Sequence, residues 1–207
     1  VDAVRIDIDP TEAGSRATYR LLTSVVVPRP IAWVSSTSAD GMDNLAPHSF
    51  YTVSCVDPPI VQFSSVGHKD TLRNVTATEQ FVVNFAGSAL FEQINATGTD
   101  FPANISEFDA VGIAREASLR VRPPRVAESP VALECVLHDT VSLGNSTVVF
   151  GNVVHIAVDE STMEDGLPAV ERLQPLARLG RDEWSELGKV LEISRIRHDE
   201  WPDHFQN

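Results

Sequence analysis

Apolar and polar residues alternate most regularly in the second half of the chain. Val131, Leu133, Cys135 and Leu137 occupy every second position. Gly144-Asn145-Ser146 then interrupts, and Val148, Phe150, Val154, Ile156 and Val158 resume the alternation, with Asn152 out of step. A period of two sends successive side chains to opposite faces of an extended strand, so this pattern predicts a long antiparallel hairpin. Upstream, Leu21 to Val27 and Ile31 to Thr37 are β-branched or aromatic runs that read as strands. Pro28-Arg29-Pro30 separates them; proline cannot donate to a ladder, so a bend or sheet edge is expected there. Asp40-Gly41 is a hairpin-turn signal, Ile60 to Ser64 starts as a strand after Asp57-Pro58-Pro59, and Phe81 to Phe85 is a short buried strand.

Helical signals are few. Asp70 to Thr78 is one candidate. Ser88 to Thr97 is another, with Leu90, Phe91 and Ile94 at helical spacing and Gly98 just beyond. Ser106-Glu107-Phe108 opens a turn or short helix, and Val121 to Pro130, with three prolines, reads as an extended connection. The pattern is mainly β: a barrel with helical excursions in one domain.

Composition narrows the function classes. The chain has 207 residues, is 43% hydrophobic and 22% charged, and carries a net charge of −13. Such an acidic surface repels nucleic acid and anionic lipid, and the acid excess is concentrated from Asp159 onward. No apolar run approaches the ~18 residues of a membrane span, and no secretory signal opens the sequence, so a cytoplasmic protein is expected. Cys55 and Cys135 then read as reduced thiols. Cys135 and His138 lie three apart on a strand and face opposite sides, while His198 and His204 lack companions, so no metal site is expected. Nucleophile-elbow, phosphate-loop and dinucleotide-turn motifs are absent.

One stretch carries chemistry. Ser64-Ser65-Val66-Gly67-His68-Lys69-Asp70-Thr71-Leu72-Arg73-Asn74 holds one of only two lysines, the other being Lys189. A strand passing into a helix here would leave first-turn amides free, beside a lysine and several hydroxyls, which suits a phosphate. The same residues also suit an ordinary turn capped by Asp70 or Thr71. Two further polar clusters stand beside apolar strands: Ser35-Ser36-Thr37, which closes the strand carrying Trp33, and Asn44 to Phe50, which reads as a loop just past the Asp40-Gly41 turn. Together the three suit a planar ligand with a phosphate tail. His48 reads either as a ligand contact or as a structural imidazole.

Seven segments resemble, in order, the flavin reductase-like, FMN-binding split-barrel family. They are Pro28 to Ser36, Asn44 to Phe50, Pro58-Pro59-Ile60, Lys69 to Asn74, Phe81 to Asn84, Ser129 to Cys135 and Leu176 to Gly180. The resemblance implies a homodimer of Greek-key split barrels with FMN near the interface. It implies that Trp33, Val34, Ser35, Ser36, Asn44, Ala46 and Ser49 border the isoalloxazine and ribityl chain. Ser64, Ser65, Lys69, Asp70 and Thr71 would border the ribityl and phosphate end, and Arg178 would reach the flavin. Residues 1–207 would form one such domain, with extensions at about 1–18 and 181–207. The implied activity is electron transfer from NADH or NADPH to free flavin, a ferric complex or a monooxygenase partner. An FMN-binding electron carrier without enzymatic activity is the alternative, and a flavin-free barrel a third. Trp184 stands where kin often carry tyrosine. Because FMN carries the redox chemistry, no catalytic acid or base is required of the chain.

Overall fold

The alternating hairpin is the spine of the molecule. A computed structural model describes residues 4–198 and Trp201; His204 lies outside them. Seven strands form one sheet: β1 (Ala32–Thr37), β2 (Asp43–His48), β3 (Tyr51–Val56), β4 (Pro59–Val66), β5 (Gln80–Phe85), β6 (Val131–Leu143) and β7 (Ser146–Val158). Their order is β2-β1-β5-β6-β7-β4-β3, antiparallel throughout. The two ends of this row are consecutive in sequence, with only Ser49 and Phe50 between β2 and β3. Three peptide units reach about 11 Å at most. The sheet must therefore roll until its edges nearly meet, and the Ser64 amide donates to the Phe50 carbonyl at 2.9 Å beside that seam.

Rolling gives the sheet an inside and an outside. Val34, Val61, Phe63, Phe81, Val83, Cys135 and Val149 fill the interior, joined by Leu72 and Val75 of helix α2 (Asp70–Thr78). Gly151 on β7 is required there, because a Cβ would lie 2.3 Å from Cζ of Phe81. The pairing of β6 with β7 slips at Phe150/Gly151 and Val153/His155, and Asn152 lies between the slips in register with Val136. On the other face, Trp33 and Leu45 pack with Ile94 of helix α3 (Phe91–Ala96) and Phe108 of helix α4 (Glu107–Val111). Strand β1 is thus buried on both faces.

Two expectations are corrected. The residues Leu21 to Val27 do not form a strand; helix α1 spans Ser15–Val25. Arg16, Ala17, Arg20, Leu21 and Leu22 are good helix formers, and the valine run that suggested a strand is only the exit from this helix. The Arg29 side chain ends it, donating to the carbonyls of Thr23 and Val26. The Asn44 to Phe50 cluster is mostly strand β2, paired with β1 across the Asp40-Gly41 turn. Pro47 is tolerated because β2 ends the sheet and owes one of its edges no hydrogen bonds.

Candidate functional site

Where the rolled edges meet, a cavity of about 350 Å³ opens between β2, the start of α2 and the segment from Thr97 to Phe101. Seven expected residues line it: Asn44, Ala46, Ser49, Ser64, Lys69, Asp70 and Thr71. Six others are placed elsewhere. Trp33 is fully buried in the outer core, its Nε1 donating to the Thr97 hydroxyl at 2.8 Å. Val34 points into the barrel. The Ser35 hydroxyl donates to the Pro124 carbonyl, Ser36 accepts from Asn74 Nδ2, and Ser65 donates to the Gly67 carbonyl. Arg178 lies on a neighbouring cavity, its guanidinium 4.5 Å from the Trp184 ring centre.

The start of α2 differs from a routine cap. Lys69 occupies the N-cap position in extended conformation, and no side chain caps the helix. Neither Asp70 nor Thr71 does so, contrary to expectation: Asp70 pairs with Arg73 at 2.5 Å, and the Thr71 hydroxyl accepts from Asn44 at 3.1 Å. Helical amides with no side-chain acceptor remain beside Lys69. Lys69 itself is engaged, its Nζ 2.7 Å from Asp100 of the facing segment. That exposed contact holds the Asp100 carboxyl below the usual range, chiefly through the hydrogen bond from Lys69.

His48 supplies the second unusual feature. The ring is 9% exposed, lines the cavity and packs 4.6 Å from Phe63. Burial lowers its pKa to about 4, with the Lys69 charge adding to the effect and a hydrogen bond to the Ser64 backbone opposing it. The imidazole is therefore neutral near pH 7. Its Nε2 is buried without a partner. A carbonyl only accepts, so the nitrogen facing Ser64 carries the proton, and Nε2 presents a bare lone pair. Glu107, also on the cavity, accepts from the Leu45 amide at 2.9 Å, and burial raises its pKa.

His48 was named in the sequence but left outside the expected site set, and Tyr19, Glu107 and the Thr97 to Phe101 segment were missed. His48 ends a strand of six, and nothing local marks its Nε2 as unpartnered. The others come from distant parts of the chain and meet β2 only because the sheet rolls. Among the described residues no cluster of His, Cys, Asp or Glu could hold a metal, and Cys55 and Cys135 are free thiols. No described helix is long and apolar enough to cross a membrane.

Comparison with known proteins places this geometry. Over 93% of this chain and all of the other, the structure matches nitrilotriacetate monooxygenase component B from Bacillus cereus, with a TM-score of 0.90 and 31% identity. The 2-nitrobenzoate 2-nitroreductase NbaA of Pseudomonas fluorescens matches over 93% of this chain and 98% of its own, with a TM-score of 0.87 and 31% identity. An uncharacterised protein of Aquifex aeolicus is 37% identical over 175 residues, covering 82% of this chain and 89% of its own length. The rolled sheet is the split barrel expected from the sequence, the fold of solved flavin reductases. The family described as the flavin reductase like domain matches residues 24–176, and the chain belongs to the flavin reductase-like family.

Proposed function

We propose that this chain is an FMN-dependent oxidoreductase that carries electrons from NADH or NADPH to free flavin, a ferric complex or a monooxygenase partner. The observation that carries the reading is the pairing, on one 350 Å³ cavity, of an uncapped helix start beside Lys69 with an unpartnered neutral imidazole. The first suits a phosphate; the second suits an N–H or O–H donor on a ring or polyol. FMN has both kinds of group, joined by a ribityl chain that the Ser49, Ser64 and Thr71 hydroxyls can meet.

When bound, FMN supplies the two-electron redox chemistry. The chain's own residues bind and orient. The α2 amides and Lys69 neutralise phosphate charge, which requires Asp100 to yield its place on Lys69. His48 Nε2 accepts a hydrogen bond and so fixes the ligand's orientation without exchanging a proton near pH 7. Ser64 holds the imidazole in that tautomer through its backbone carbonyl. Two related proteins lend weight to electron transfer towards a partner or acceptor, one named as a monooxygenase component and the other as a nitroreductase.

A homodimer belongs to the same proposal. Strand β3 ends the sheet beside the cavity and exposes Val53 and Val56 at 64% and 86%, an apolar edge of the kind that a second copy covers.

The test is direct. Titration with FMN, followed by quenching of flavin fluorescence, should saturate at one flavin per chain. Anaerobic mixing with NADH or NADPH should then bleach the flavin absorbance within turnover times. A protein that ignores FMN overturns the reading, and a bound flavin that neither nucleotide bleaches reduces it to an electron carrier.

A further inference from the structure

One end of the barrel is left open. Val53 pairs with Val61 and Ile156 with Leu133, and residues directly opposite one another on antiparallel strands share a face. Val61 belongs to the interior and Leu133 packs against it, so Val53 and Ile156 face inward as well, yet they are 64% and 56% exposed. Leu133 also lines an apolar cavity of about 180 Å³, with Tyr51, Val83 and Leu176. A cavity near that size takes one benzene-sized group, and so one leucine or isoleucine side chain. The strand edge at this end is unpaired too. Strand β7 keeps β6 along its length but β4 only as far as Asn152, so no described strand meets the other edge of Val153 to Val158.

The same chain carries a segment of matching chemistry. Beyond Ser185 no helix or strand forms through Arg197, and Leu191 and Ile193 are 78% and 86% exposed. The sequence Val190-Leu191-Glu192-Ile193-Ser194-Arg195-Ile196 is nevertheless strand-forming, rich in β-branched residues. In extended form Leu191 and Ile193 share one face. Charge points the same way. From Lys189 to Arg197 three cations stand against Glu192 alone, in a chain of net charge −13. The opening is flanked by Asp57, in the turn between β3 and β4, and by Asp159 and Glu160, which follow β7.

We infer that the segment from Lys189 to Arg197 of one chain docks on the open barrel end of a second copy; this rests on the homodimer reading above. Leu191 and Ile193 lie over the apolar opening, and the backbone adds to the free edge of β7. Such strand addition takes its affinity from main-chain hydrogen bonds and its specificity from alternate side chains. Every copy has one segment and one opening, so reciprocal exchange closes a two-fold pair and leaves neither uncovered. Val53 is part of the β3 edge assigned to the dimer and of this opening alike, which makes the two contacts continuous.

Sedimentation velocity of the full chain over a dilution series tests the exchange. Leu191→Asp/Ile193→Asp should weaken the dimer about a hundredfold, the loss expected from two buried aliphatic side chains. Both side chains are exposed within the chain, so urea unfolding of the dilute monomer should not change. On the receiving side Ile156→Asp should also weaken the dimer, by about tenfold. Combined with the Leu191→Asp/Ile193→Asp changes it should add nothing further, because the contact is already lost. A dimer that the Leu191→Asp/Ile193→Asp protein retains, or effects of the two sets that simply add, overturns the exchange while the homodimer stands. A parent chain that is monomeric at every concentration overturns both readings.

Discussion

Two places in this molecule bury titratable groups, and they do so in opposite ways. On β6, Glu134 is fully buried, and both its oxygens are used. Oε1 accepts from the Leu119 amide at 2.9 Å and from Arg125, while Oε2 accepts from the Arg120 amide at 2.6 Å. Arg125 is itself buried and also reaches Glu116 at 3.5 Å. At the seam, His48 is also buried but leaves Nε2 unanswered, and the nearby charges pair only in exposed, exchangeable contacts. Complete satisfaction fixes a fold; an incomplete one leaves a place for something else. The buried polar groups of a split barrel can be sorted by that difference.

The comparison can be broken most forcefully at Glu134. Glu134→Ala leaves Arg125 buried without its carboxylate and should cost about 3–5 kcal/mol in chemical denaturation, while FMN affinity of the folded fraction stays unchanged. Burial alone would raise the Glu134 pKa, but the Leu119 amide, Arg125 and the Arg120 amide together lower it below 4.5. Its contribution to stability is therefore present above about pH 4.5 and lost as pH falls through the folded value. A Glu134→Ala protein as stable as the parent would remove the structural half of the contrast.

His48 gives the next largest effect, in a higher pH window. Its folded pKa of about 4 lies below the ordinary 6.5, so only the unfolded chain takes up a proton between those values. Stability is full above pH 6.5 and should decline by about 3 kcal/mol as pH falls to 4. His48→Phe should flatten that limb of the stability profile and weaken FMN, since the lone pair at Nε2 is gone. Retained FMN affinity in His48→Phe would show that the ring is only structural.

Lys69 comes third. Lys69→Ala should weaken FMN roughly tenfold, the scale of one charge-assisted contact, whereas Lys189→Ala should not; matching titration curves would refute the phosphate assignment. The smallest effect is expected at Asp100, which competes for Lys69 across an exposed contact. Asp100→Asn should tighten FMN by roughly two- to fivefold, and looser binding would mean that the carboxylate aids the ligand.

Much of the scaffold was legible in the sequence, because strand alternation and helix starts are local signals. The β6–β7 hairpin followed from its period of two. The bounds of α2, Asp70–Thr78, followed from the Asp-Thr start and the strand signals on either side. Helix α1 was misread because Val25-Val26-Val27 outweighed the weaker helical signal before it. The cavity was legible in part. Lys69, Thr71 and Asn44 announce polar chemistry where they stand, whereas Glu107 and Asp100 reach the seam only through tertiary folding. Ser35 and Ser36 looked like ligand donors, yet each is engaged within the protein, by the Pro124 carbonyl and Asn74. The neighbouring cavity was invisible, since Arg20, Arg29, Arg178 and Arg181 on its wall come from three separate segments of the chain.

Tyr19 and Ser49 line both the seam cavity and the neighbouring cavity on which Arg178 lies, and this shared wall has a thermodynamic consequence. If occupancy of one cavity shifts that wall, the affinities of the two ligands become linked. Whatever factor a ligand in one cavity imposes on a ligand in the other, the second must impose on the first. Two residues that touch both chambers would then let the seam cavity release its occupant according to whether the neighbouring cavity is filled.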